Sequence, residues 1–335
     1  MSPELIATLA VIVAAIAFDY TNGFHDAANA IATSVSTRAL TPRVALAMAA
    51  IGNLIGACFG AGVAKTVGDG MVDLPPTVAS LGVVFAAVLG AIAWNLITWY
   101  FGLPSSSTHA LLGGLVGATL FATGGIVKWP TIIEKVIVPM VASPLVGFGL
   151  GFLAMVAIMW IFRSGQPSRL NRGFRTAQTI SAAAMSVGHG AQDAAKTMGI
   201  IVLALYSGGF QDTKTDIPWW VVLASATALA LGTYSGGWRI IRTLGRKIID
   251  LGPAEGFVAE TVASSVLFFS ALVLKAPIST SHTITSAIMG VGATKRLSAV
   301  RWNVASHIVI GWVVTFPAAG VIACGVYFLV RPLFH

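Results

Sequence analysis

The sequence predicts an all-α membrane protein: a polytopic helical bundle of two inverted-topology repeats, with broken helices or helical hairpins. Three observations carry this. Of 335 residues, 56% are hydrophobic and only 10% charged, against about 25% charged in a soluble domain. The apolar residues gather into ten segments, most of them near the ~20 residues a helix needs to cross a bilayer. Two short polar motifs each occur twice, in the same order.

The segments fall at 4–35, 44–65, 77–103, 106–123 and 131–162, then at 177–208, 218–235, 254–275, 279–294 and 303–330. All are expected to be helical, because lipid offers no partner to open backbone groups. The first has Glu4 and no basic flank before its apolar run, so it reads as a retained span and not a cleaved leader. Glycines at small-xxx-small spacing (Gly52, Gly56 and Gly60; Gly113 and Gly117; Gly147 and Gly151) suit close helix packing, between segments or between two copies of the chain. Cys58 and Cys324 lie inside apolar segments without metal-ligand spacing, and a structural disulfide is not expected.

Basic residues set the orientation. The linkers holding Arg38 and Arg43, Arg163 to Arg175, Arg239 to Lys247, and Lys295 to Arg301 alternate with linkers poor in cations. Thirteen cations then fall on one side and six on the other, with Lys196 left inside a helix. The positive-inside rule makes the richer side cytoplasmic and puts both termini outside. The net charge of +8 is thereby explained without nucleic acid, and no folded basic domain remains to bind any.

Gly23-Phe-His-Asp-Ala-Ala-Asn29 aligns with Gly190-Ala-Gln-Asp-Ala-Ala-Lys196 at an offset of 167. Pro104-Ser-Ser-Ser-Thr-His109 aligns with Pro277-Ile-Ser-Thr-Ser-His282 at 173. The second register continues from Lys128-Trp129 to Arg301-Trp302, and from Pro144 and Gly147 to Pro317 and Gly320. The expected divisions are repeat I at 1–162, a basic linker at 163–176, and repeat II at 177–335. The halves start on opposite sides, so repeat II is inverted, an architecture of secondary transporters with the site near the midplane. The Ser-rich turns fit re-entrant hairpins or junctions between full passes.

Asp26 and Asp193 sit mid-segment in apolar helices, where a carboxylate costs about 2.5–3.5 kcal/mol. A proton, a cation or a substrate must compensate. Gly23 and Gly190 precede them by three residues; they either open the helix, freeing carbonyls for a cation, or pack it closely. Asn29 and Lys196 follow by three residues on the same face, and Gln192 precedes Asp193. The prolines and Ser106 and Ser279 start new helices, whose free N–H groups attract tetrahedral anions. Ser106, Ser107, Thr108, Ser279, Thr280 and Ser281 add hydroxyl donors. His25, His109, His189 and His282 flank the motifs; His25 is the first candidate for proton transfer. No intramembrane metalloprotease motif is present, and no metal ligand or cofactor is assigned.

With these motifs in place, the chain resembles the inorganic phosphate transporter (PiT) family over essentially its whole length. The family motif Gly-Ala-Asn-Asp-Val-Ala-Asn-Ala reads here Gly23-Phe-His-Asp-Ala-Ala-Asn-Ala30. That form, with Gln192 and Lys196 in the second copy, is similar to the bacterial low-affinity branch. The resemblance implies a multi-pass protein of the bacterial inner (plasma) membrane that imports phosphate, often as a metal-phosphate complex, by cation symport. It implies protons in place of sodium as the coupling ion. It further implies that Asp26, Asn29, Asp193 and the hydroxyls at 106–108 and 279–281 form the phosphate and cation site. A sulfate permease of the same fold, a passive channel, and a membrane enzyme acting on phosphate esters through Ser107 and His109 are the competing readings.

Overall fold

The computed structural model describes residues 2–122 and 124–334; Met1, Thr123 and His335, at the margins of the expected repeats and of the 106–123 segment, lie outside them. The chain folds as thirteen α-helices joined by short turns, among the described residues. In order these are α1 (Pro3–Ser36), α2 (Pro42–Ala57), α3 (Ala61–Gly70), α4 (Val78–Phe101), α5 (Ser107–Thr119), α6 (Trp129–Ile132), α7 (Val138–Ile161), α8 (Pro167–Ser207), α9 (Trp219–Ser235), α10 (Trp238–Arg242), α11 (Pro253–Phe269), α12 (Thr280–Ala293) and α13 (Trp302–Val330). The π-helical turn Ile133–Ile137 joins α6 to α7, another continues α10 to Lys247, and a third extends α11 to Leu274. One two-residue ribbon, β1 (Val72–Asp73) with β2 (Ile126–Val127), closes the turn before α4 against the turn after α5.

Five of these helical stretches are long and apolar enough to cross a membrane, six if the bent pair α2–α3 counts as one. The expected segment 44–65 is that pair, broken at Cys58–Gly60 and bent by 66°. Proline at the first turn starts α1, α2, α8 and α11, where its missing N–H is no loss. α4 stops at Gly102, whose φ of +66° ends the helix in the left-handed region. The expected linker 163–176 is shorter than the sequence suggests. Only residues 163–166 form the turn; α8 starts at Pro167 and runs 41 residues straight through Gly173. Its arginines cover an exposed helical turn, so a basic, Gly-containing stretch reads locally as a linker while its helix propensity remains intact.

The two halves interleave. α2 packs along α8 as α9 packs along α1, and α5 lies on α13 as α12 lies on α7. Exchange of α1, α2, α5 and α7 with α8, α9, α12 and α13 therefore preserves the contacts. The close approaches obey the same exchange. A Cβ on Gly23 would meet Leu229 O at 2.4 Å, and one on Gly190 would meet Asn53 O at 2.4 Å. One on Gly56 would meet Val187 O at 2.0 Å, and one on Gly232 would meet Tyr20 O at 2.1 Å. Gly23 and Gly190 thus let backbones touch, and both helices pass through them unbroken. Of the two readings, the unbroken helices and close contacts favour packing over carbonyl release.

Burial sorts the helices by position. α7 and α13 turn Leu145, Leu153, Val321 and Leu329 outward, as lipid-facing spans do. α12 is buried along its entire length, and α5 at all but one residue. At 13 and 14 residues these two reach about 20 Å at 1.5 Å per residue, too short to cross alone. They are the innermost helices, and each begins at a Ser/Thr motif.

Candidate functional site

Asp26 on α1 and Asp193 on α8 meet in the centre of the bundle. Asp26, His189 and Asp193, all buried, each offer a ligand atom within 4.8 Å of the others. This is a span one cation can bridge with the nitrogen and oxygen ligands it prefers. The His189 ring lies one turn before Asp193, its Nε2 2.8 Å from Asp193 Oδ2. The angle does not make a hydrogen bond, so both atoms stay open to a ligand. His189 Nδ1 lies 2.9 Å from Asn53 Oδ1, and Asn53 Nδ2 donates to Thr233 Oγ1 at 2.8 Å. That second contact holds the imidazole in place.

Each acidic helix reaches across to the hydroxyl motif of the other half. Asn29 Nδ2 donates to Thr280 Oγ1 at 3.0 Å and Ser281 Oγ at 2.8 Å. Ser281 Oγ donates to Asp26 Oδ1 at 3.3 Å. In the mirror position Lys196 Nζ donates to Thr108 Oγ1 and to Asp193 Oδ1, both at 2.8 Å. Asn29 and Lys196 are repeat partners, as are Ser281 and Thr108, so the two sides differ by one fixed positive charge.

The same helices pin their own half's turn. His25 Nε2 lies 3.0 Å from Thr98 Oγ1 and 3.3 Å from Ser105 Oγ, while its Nδ1 lies 2.7 Å from Asp26 Oδ1. Gln192 Oε1 accepts from Ile278 N at 3.3 Å, and its Nε2 donates to the carbonyls of Leu267 and Ala276, both at 3.4 Å. Gln192, expected among the substrate ligands, is engaged by backbone and holds the turn before α12.

The hydroxyls divide by role. Ser106 Oγ accepts from His109 N and Ser279 Oγ from His282 N, so these two are helix caps. Each cap satisfies one N–H; the other first-turn N–H groups of α5 and α12 have no intrahelical acceptor, beside the hydroxyls that Lys196 and Asn29 reach. Ser107 Oγ and Asn29 Oδ1 are buried and without partner. Buried polar atoms are nearly always satisfied by protein, water or ligand, so these two are open to water or a ligand. His109 and His282 face one another, ring centroids 4.8 Å apart, with His282 stacked on Trp312 at 4.2 Å. His109 makes no contact with Ser107 of the kind a nucleophile and its base require.

His189, named among the motif-flanking histidines, is one turn before Asp193, a spacing that puts it on the acidic face. Two further groups were not named from the sequence. Asp19, buried, lies two turns before Asp26 and accepts from Thr197 Oγ1 at 2.6 Å. Glu260 on α11, also buried, accepts from Thr33, from Gln178 Nε2 at 3.2 Å and from Ser181 Oγ at 2.6 Å. Seven-residue spacing in an apolar helix would have flagged Asp19; Glu260 has no repeat partner to flag it.

Comparison with known proteins accords with this architecture. Residues 22–323 match the family model described as the phosphate transporter family. A probable low-affinity inorganic phosphate transporter of Rhizobium meliloti is 48% identical over 328 residues, covering 97% of this chain and 96% of the relative. One from Bacillus subtilis is 44% identical, covering 98% and 99%. The fold resembles a solved structure described as the sodium-dependent phosphate transporter, with TM-score 0.89, 24% identity, and 98% and 99% coverage. The family and these relatives are transporters, which sets aside the phosphate-ester enzyme reading, and the chain, a multi-pass membrane protein, belongs to the phosphate transporter family.

Proposed function

We propose that this chain imports inorganic phosphate across the plasma membrane by symport with a cation, the proton in place of sodium. The observation that carries the reading is the convergence of Asp26 and Asp193 with two hydroxyl-tipped helix starts drawn from opposite halves. The helix starts offer N–H and O–H donors to a tetrahedral anion. The two carboxylates repel that anion until a proton or cation neutralises them, so anion and cation each bind poorly alone. That mutual dependence is coupling.

Lys196 bears on the coupling ion. Its ammonium already sits on Asp193 and Thr108, a place a metal cation would otherwise take. A fixed charge there lowers the number of mobile cations needed, and Asp26 with His25 at 2.7 Å remains as the protonatable pair. The Asp26–His189–Asp193 cluster also suits a divalent ion carried in with phosphate, as cargo. Phosphate keeps a P–OH that an ionised Asp accepts, which disfavours sulfate. The interleaved halves and the cation bias between linkers support inverted repeats, with both termini outside and the site exposed alternately to each face.

The test is uptake of labelled phosphate into proteoliposomes under an imposed pH gradient, a sodium gradient, and competing sulfate. Concentrative uptake driven by the pH gradient is expected. Accumulation driven by sodium alone overturns the coupling assignment, and flux without accumulation makes the protein a channel. Asp26→Asn and Asp193→Asn are each expected to abolish accumulation while the protein stays folded.

A further inference from the structure

The acidic centre does not end at Asp26. Asp19, Asn22 and Asp26 are spaced by three and four residues, so they share one face of α1, and the outer two are about 10 Å apart at 1.5 Å per residue. Asp19 is fully buried; one of its oxygens accepts from Thr197, and the other has no partner. Asn22 is fully buried with neither amide atom paired. Ser225 on α9, also buried, leaves its hydroxyl unpaired near the Asp19 carboxyl. Further along, Thr8 and Ser207 are buried with unpaired hydroxyls. Thr8 Oγ1 lies so near the α8 terminus that a Cβ on Gly208 would come within 2.1 Å of it. Unpaired polar atoms thus cluster at Asp19, Asn22 and Ser225 beside the Asp26–Asp193 pair, with a second pair, Thr8 and Ser207, toward the N-terminal end of α1.

Leaving one buried polar atom without a partner costs about 1–3 kcal/mol. A cluster of them is sustained by water or an ion. Beside the Asn22 amide nitrogen, the groups around Asp19 offer oxygen: a carboxylate, an amide carbonyl and two hydroxyls. Those oxygens suit a hard cation, and the carboxylate repels an anion. Few charged groups face it. Lys196 and Asp193 act on it from α8, Asp26 lies two turns along α1, and α9 carries no charged residue in its span. The α12 start contacts the far side of the central pair through Asn29, while the α5 start meets Lys196, the neighbour of Thr197, on the Asp19 side.

We propose that Asp19, Asn22, Thr197 and Ser225 form a binding site for the coupling monovalent cation, loaded from the outer face before the cation passes to Asp26 and Asp193. The inference rests on the cation-symport reading and adds a site to it. The shared chemistry is a small hard monovalent cation, hydrated proton or sodium, and the test separates the two.

Two measurements on the purified full-length chain decide it. The first is melting temperature without phosphate, titrated with sodium at fixed pH and with pH at fixed sodium. The wild type is expected to show a saturable shift with one of the two ions. Asp19→Asn is expected to move the midpoint of that shift by about tenfold or more, the loss expected for a charged ligand, and Asp19→Glu to restore most of it. Thr197→Val and Ser225→Ala, which keep the carboxyl and remove one ligand each, are expected to move it less in the same direction, and they stand in if Asp19→Asn does not fold. The second is proteoliposome uptake, in which these variants are expected to raise the half-saturating cation concentration more than the KM for phosphate. Wild-type midpoints in all folded variants, or a change in phosphate KM as large as the cation change, overturns the site. A wild type that binds cation but accumulates no phosphate rejects the symport reading and leaves the cation site standing.

Discussion

Lys196 is the residue on which the asymmetry of the site turns. Its ammonium is buried, and it is held by Asp193 and Thr108 while its repeat partner Asn29 is neutral. Lys196→Ala would leave Asp193 buried without its partner, a loss of about 3–5 kcal/mol, seen as a lower melting temperature and lower folded yield. Lys196→Asn would restore two-fold symmetry at the site. One more mobile cation per phosphate is then expected, measured from reversal potentials in proteoliposomes. Thr108→Val and Ser281→Ala remove equivalent hydroxyls. Each is expected to raise the KM for phosphate by about tenfold or more, the loss of one hydrogen bond to a charged ligand; a large effect in one with none in the other would show that only one helix start binds the anion. Asp26 and Asp193 were legible in the sequence because a carboxylate in an apolar helix is costly and this one occurs twice. The spacing places His189 and Asp19 on the same faces as these acids, but the partners they meet, Asn53 and Thr197, lie on other segments and were not legible.

At the scale of elements, the glycines and the outer loops carry the tests. Gly23→Ala and Gly190→Ala would push a methyl group into the backbone carbonyls of Leu229 and Asn53. Overpacking of this kind costs about 1–3 kcal/mol, so both variants are expected to melt lower, and by similar amounts, since the contacts are equivalent. Had these glycines only opened helices, alanine would have stabilised them instead. Outside the spans, Lys214 Nζ donates to Asp73 Oδ1 at 2.9 Å and holds that carboxyl below the usual range. A depressed folded pKa gives stability that is complete above the unfolded carboxylate value, near pH 4, and is lost as pH falls through the folded value. Lys214→Met is therefore expected to lower stability at neutral pH but not in strong acid, and by at most about 1 kcal/mol because Asp73 is largely solvent-exposed. Element ends such as Gly102 and the prolines of α1 and α2 follow from local chemistry. The length of α8 does not, because arginines and glycines mark linkers and exposed helices alike.

Over the whole molecule, orientation is the open prediction. In a background of Cys58→Ser and Cys324→Ser, Arg172→Cys is expected to react with a membrane-impermeant thiol reagent only from the cytoplasmic face, and Gln211→Cys only from outside; the reverse pattern would invert the topology. Membership of the polytopic helical class was readable from composition and segment length alone, and the division into related halves from two motif pairs. The interleaving of those halves was not, because each helix's apolar pattern is satisfied equally by a neighbour from its own half or from the other.

The sequence by itself determined the solvent, the helical class, the repeat and which polar residues are too costly to be idle, since hydropathy, spacing and recurrence are properties of the chain. Only the tertiary structure decided that Asn29 and Lys196 reach the opposite half's hydroxyls, that Gln192 serves a turn, and that Asp19 meets Thr197 beside the acidic centre. Those outcomes depend on which helix faces lie against each other, and close glycine contacts between distant segments fix that.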